Sequence, residues 1–236
     1  MTTADSVRPA HGVRIALSPL RRRMLRLTAA ILLAVPAVLW SMFLVFGLLR
    51  HGYGLLTSPA SSLGARGTPH SEAFNIAFFY TGGILTALAG TGLAILHHRS
   101  VRWLLGAVFM VLAGILLVLT GVFPTAGAGH FDAHLHGLFS QSCFVLASAA
   151  PLLLVLDADH LTSQPAIKGI LKIVAIASLA IEVLQMAIAH VIRYPYGYFQ
   201  RSFMASLSIA LLLLGIWLRR HYSSLQRTAP LALTDS

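Results

Sequence analysis

The sequence predicts an all-α protein, a polytopic transmembrane bundle of about six helices with both termini on the cytoplasmic side. Three observations lead there. The chain of 236 residues is 57% hydrophobic and only 10% charged, its mean hydropathy is +0.79, and its apolar residues come in long blocks with the charges between them. Soluble domains carry roughly a quarter charged residues, whereas a hydrocarbon core about 30 Å thick calls for apolar runs of about 20 residues. Each block must be helical, because lipid offers an open backbone no hydrogen-bond partner.

In chain order, residues 1–26 hold Arg8, Arg14, Arg21, Arg22, Arg23 and Arg26 with Pro9 and Pro19, a basic cytoplasmic segment suited to anionic headgroups. Six apolar blocks follow at Leu27–Leu49, Ala73–Leu96, Arg102–Phe123, Leu135–Leu156, Ile170–Val191 and Phe203–Leu218. The domain reading is therefore a tail at 1–26, a membrane domain at 27–218 and a cytoplasmic tail at 219–236. The first block is too long for a signal peptide and lacks a small-residue cleavage site, so a retained helix is expected. Gly82, Gly83, Gly90 and Gly92 in the second block, and Gly106, Gly114 and Gly121 in the third, predict close helix packing. Pro36 and Pro151 each remove a hydrogen bond inside a helix and predict kinks.

Orientation follows from the basic residues. With the N-terminus inside, all but four of the 17 Lys and Arg residues fall on the cytoplasmic side; the exceptions are Arg50, Arg66, Arg193 and Arg201. The same distribution answers the net charge of +10, which in a soluble protein would point to nucleic acid. Charges confined to block ends describe topology, and no nucleic-acid partner is expected. The single cysteine, Cys143, excludes an intrachain disulfide and a cysteine metal cluster.

Polar side chains collect toward the non-cytoplasmic side. The first outer loop ends in Pro69, His70, Ser71 and Glu72 ahead of Asn75, where Glu72 suits the positive end of a helix dipole. The second carries His130, Asp132, His134 and His136 within seven positions. His130 and His134 stand four apart on one helical face, a spacing that can chelate a divalent metal given a third ligand such as Asp132, His70 or His190. Histidines at a membrane boundary also simply bond water, headgroups or loop carbonyls. The fifth block holds Glu182, Gln185 and His190, with Glu182 roughly 13 Å below the outer surface at about 1.5 Å per residue. A carboxyl at that depth faces the bundle interior. Tyr80, Thr81, Ser140, Gln141, Arg193 and Arg201 complete a set that predicts a polar pocket open to the outer leaflet. Its ligand candidates are His70, Glu72, Asn75, His136, Gln141, Glu182, Gln185, His190 and Arg201. The cytoplasmic His97, His98, Arg99, Asp157, Asp159 and His160 read as solvated loop residues, and Trp40, Trp103 and Trp217 include interface anchors.

Two segments carry a resemblance. Leu63-Gly64-Ala65-Arg66-Gly67-Thr68-Pro69-His70 with Phe74-Asn75, and Gly121-Val122-Phe123-Pro124 followed by His134 and His136-Gly137, resemble the multi-pass family catalogued as domain of unknown function 998. The resemblance covers about residues 30 to 218. It implies a polytopic, bacterial-type membrane protein of the inner membrane and supplies no catalytic residues.

Three functions compete on these residues. The first is a non-enzymatic protein that binds or senses a lipid or other small hydrophobic ligand through the outer pocket, with membrane lipids as partners and no cofactor. The second is a metal-dependent hydrolase with zinc on His130 and His134. The third is a small transporter with Glu182 carrying a proton, against which stands the lack of a visible repeat. The sequence leans away from an enzyme and leaves the oligomeric state open.

Overall fold

The computed structural model describes residues 18–96, 100–125, 131–157, 165–189 and 196–227. Among these there are helices and turns and no strand. Six long helices run α1 Pro19–Leu49, α2 Ser71–Leu96, α3 Val101–Val122, α4 Phe131–Asp157, α5 Pro165–Ala189 and α6 Tyr196–Arg227. Five of them, all but α5, contain stretches long and apolar enough to cross a membrane. The fold is a helical membrane bundle.

The helices overrun the apolar blocks because amphipathic ends continue the helix past the hydrocarbon. α1 starts eight positions before Leu27, at Pro19, where Ser18 accepts a hydrogen bond from the Arg21 N–H and proline occupies the first turn. The arginines from Arg21 to Arg26 are thus helical. Ser100 caps α3 in the same way through the Trp103 N–H. α4 begins at Phe131 rather than Leu135, and α6 at Tyr196 rather than Phe203.

α2 departs most from the expected regular helix. Ser71–Phe74 is an α-helical turn behind His70, whose φ of 62° is left-handed, and Asn75–Tyr80 is a π-helical turn. The Thr81 hydroxyl donates to Ile76 O, five residues back, at 2.9 Å. That wider turn buries Asn75, Phe78 and Phe79 together.

Each helix packs on its sequence neighbour, and α6 returns to α1, closing a ring. Gly83 and Gly114 bring α2 and α3 together so closely that a Cβ on Gly83 would lie 2.6 Å from Gly114 O, and one on Gly114 2.5 Å from Gly83 O. The core has two parts. Toward the α1 N-terminus, Leu32, Leu93, Met110, Leu154 and Leu214 surround Trp103 and Trp217. These two indoles are buried and 6.0 Å apart, so they are core residues and not interface anchors. At the other end Phe43, Phe74, Phe78, Phe79, Phe144 and Phe203 form an aromatic layer. The outward faces expose Leu48, Ile84, Leu88, Leu105, Ile173 and Val183. In water such a surface would aggregate; against lipid it is the matching solvent.

Candidate binding cavity at the loop-capped end

Residues 50–70, between α1 and α2, fold over the aromatic end of the bundle. Polar loop backbone can lie there only if its carbonyls and amides are paired, and two arginines contribute to that pairing from the helix ends. Arg50 donates to Ser62 O at 2.5 Å. Arg201, near the start of α6 and only 6% exposed, donates from Nε to Leu55 O (3.1 Å), from Nη1 to Gln200 Oε1 (2.9 Å), and from Nη2 to the Tyr53 hydroxyl (2.9 Å) and Ser58 O (2.7 Å). Its guanidinium also sits 3.9 Å from the Phe43 ring centroid. The Tyr53 hydroxyl lies 3.1 Å from both Ser58 O and Pro59 O. Burial pushes this phenol above its ordinary value of 10.0, and the Arg201 charge pulls against that rise. Gln200 Oε1 accepts from the Ala60 N–H at 2.7 Å.

Further stitches tie the loop to its neighbours. Asn75 donates to Gly64 O at 3.1 Å, Thr125 to Ser61 O at 3.3 Å and the Arg66 N–H to Thr125 O at 3.1 Å. The Arg66 side chain pairs with Asp132 at 2.5 Å on the exposed surface.

Beneath this cap lies a cavity of about 340 Å³. Its walls come from α1, α2, α3, α4 and α6, with Pro59 and Ser61 of the loop above. Phe78, Phe79, Phe144, Phe203, Met204 and Leu207 make it mainly apolar. His136, Ser140, Gln141, Thr120, Thr125 and Gln200 add polar groups, and among the described residues no Lys, Arg, Asp or Glu takes part. An apolar chamber with a few placed polar atoms is what small-ligand sites look like.

The His136 ring is fixed. Its Nδ1 is 3.0 Å from Thr120 O and 2.9 Å from Phe123 O. Carbonyls only accept, so Nδ1 carries the proton and the neutral ring leaves Nε2 as an acceptor.

The family model described as protein of unknown function (DUF998) matches residues 32–217, which includes every cavity wall. The chain belongs to the DUF998 family. No curated protein matches it, and no solved structure does.

In this DUF998 protein the candidates named from sequence divide into four groups. His136 and Gln141 line the cavity. Asn75 and Arg201 are buried next to it and hold the cap. Glu182 and Gln185 are buried in α5, away from the cavity lining; both Glu182 oxygens and Gln185 Oε1 lack a hydrogen-bond partner among the described residues. Glu182 is not a lining residue, whereas Cys143 on the neighbouring α4 is. His70 and Glu72 are exposed at the start of α2 and do not join the cavity.

His130 and His190 lie outside the described residues, as do Arg193, His97, His98, Arg99, Asp159 and His160. His134 is exposed, and Asp132 is paired with Arg66. Among the described residues no group of three or more His, Cys, Asp or Glu is placed to hold a metal. Gln200, Tyr53, Phe78 and Phe79 were not singled out from sequence. The Gln200-Arg201 pair at a helix start was the available signal for the first of them.

Proposed function

We propose that this DUF998 protein spans a bacterial-type plasma membrane six times with both termini inside, and binds a small amphiphile in the capped cavity at its outer end. The orientation rests on the Lys and Arg distribution, which puts the capped loop outside. The observation that carries the binding role is a mainly apolar chamber of about 340 Å³ beneath a loop stitched down by buried hydrogen bonds. Apolar walls on several sides offer an apolar occupant extensive dispersion contact. The proposed role uses no metal and no cofactor, and membrane lipid is the source of the ligand.

A photoreactive long-chain alkyl probe tests this in native membranes. Crosslinks should concentrate in 133–147 and 200–211. Ala147→Phe, which puts a ring into the chamber, should abolish them. Labelling spread evenly over lipid-facing positions such as Leu48, Ile84 and Ile173 would end the proposal.

A second reading is favoured by Glu182, whose two oxygens are buried and without a hydrogen-bond partner among the described residues. Unpaired carboxyls inside membrane bundles commonly serve proton relays. Proton-coupled transport predicts that Glu182→Gln abolishes uptake into vesicles while the protein still folds.

A further inference from the structure

The chemistry of the cavity wall narrows the ligand. This step rests on the binding role just proposed and adds the class of molecule bound. Two features decide it, the charge of the lining and the hydrogen-bonding atoms still free.

Among the described residues the lining holds no Lys, Arg, Asp or Glu, and its ionisable side chains are His136 and the Cys143 thiol. Arg201 and Glu182, the buried charged residues, both stand outside it. Arg201 is also spent: four of its N–H groups go to Leu55 O, Gln200 Oε1, Tyr53 and Ser58 O. A carboxylate or phosphate head would therefore enter a low-dielectric chamber with no counter-charge, a desolvation cost of several kcal/mol. An ammonium head would find some attraction at the phenyl faces but, among the described residues, no carboxylate in the lining to offset its desolvation.

Most polar atoms of the wall are already engaged. Ser208 accepts from Trp40 Nε1 at 2.9 Å and donates to Met204 O, Ser140 donates to Gly137 O, and Thr120 donates to Leu116 O. Two groups remain. His136 has its Nδ1 proton committed to two carbonyls, which leaves Nε2 as an acceptor. Gln200 has Oε1 committed to the Ala60 N–H and to Arg201, which leaves its amide NH₂ as a donor. A buried ring acceptor and a buried amide donor, on a mainly apolar wall without Lys, Arg, Asp or Glu among the described residues, match a hydroxyl, which both donates and accepts.

We infer that the cavity takes an uncharged lipid alcohol, its hydroxyl directed to His136 and Gln200 and its hydrocarbon body against Phe78, Phe79, Phe144 and Phe203. The chamber volume lies at the lower end of small-ligand sites, roughly 300 to 1,000 Å³, and suits one chain or a small ring system.

The test uses the full-length protein in nanodiscs with a photoreactive long-chain primary alcohol as probe. Competitors of equal chain length carry a hydroxyl, a methyl ether, a carboxylate or a trimethylammonium group. The alcohol should displace the probe. The ether, which cannot donate to His136, should be weaker by about tenfold, the worth of one neutral hydrogen bond. The two charged competitors should be weaker still. His136→Phe should cost the alcohol a similar factor and leave the ether unchanged; the ether comparison in the wild-type protein stands even if this variant misfolds. A carboxylate or ammonium that competes as well as the alcohol, or an ether equal to it, overturns the assignment while leaving a binding cavity. Failure of the probe to label cavity peptides at all removes the binding role itself.

Discussion

Arg201 shows how a single side chain can set a local architecture. Its position at a helix end is plain from sequence, where an acidic residue or a lipid phosphate is the natural partner to expect. Instead it bonds loop carbonyls, a phenol and an amide, and covers Phe43. Apart from the neighbouring Gln200 amide, the partners Leu55, Tyr53 and Ser58 lie 143 to 148 residues away in the chain and leave no local pattern. Truncation to alanine should destabilise the protein by on the order of 3 kcal/mol, because buried carbonyls lose a charged donor. Denaturant titration in micelles would measure that loss, and faster proteolysis within 50–64 would locate it. Tyr53 adds a pH signature. Its folded-state value lies above the ordinary 10.0 because burial disfavours the phenolate. The neutral phenol's contribution is then complete below pH 10.0 and disappears as pH rises through the higher folded value. A spectrophotometric titration should show one tyrosine ionising late, absent from Tyr53→Phe. If the difference curve titrates at or below the ordinary value, the phenol is not buried in the cap.

Whole elements were more legible than their ends. All six apolar blocks correspond to helices, since a run long enough to cross lipid has only one structure open to it. The ends slipped because hydropathy does not see a Ser-Pro cap such as Ser18-Pro19, nor a polar turn such as Tyr196–Gln200. The π turn at Asn75–Tyr80 was invisible for a different reason. Apolar residues on both sides of it fit either a 3.6- or a wider-period helix, and only the tertiary need to bury Phe78 and Phe79 separates them. The glycine reading was sound where spacing repeats, at Gly83 and Gly114. Gly114→Leu should cost several kcal/mol or prevent folding, because its Cβ would meet backbone atoms of Ala87 and Gly83 that cannot retreat. Gly169→Ala is the control: nothing lies within 4 Å of its Cβ, and it should gain about 0.5–1 kcal/mol of helix stability. Melting temperatures in detergent that place these two variants in the reverse order would contradict the close α2–α3 contact.

At the scale of the molecule, the sequence showed polar groups gathered toward one end of the bundle, and His136 and Gln141 do meet in one chamber there. It did not show that Glu182 stays out of the lining, or that Arg201 serves the cap, because helix rotation in a ring is fixed by packing and not by hydropathy. The proposed topology predicts that reporters fused in 50–70 and after Arg220 report opposite sides of the membrane. A shared side would reverse or break the six-span reading. The most direct test of the central claim, a capped chamber that holds one amphiphile, is saturation binding of the photoreactive alcohol to purified protein, counted by native mass spectrometry. One saturable adduct per chain should appear, vanish in Ala147→Phe and persist in the lipid-facing Ile173→Phe. Adducts that rise without limit, or that ignore the phenylalanine placed in the chamber, would contradict it.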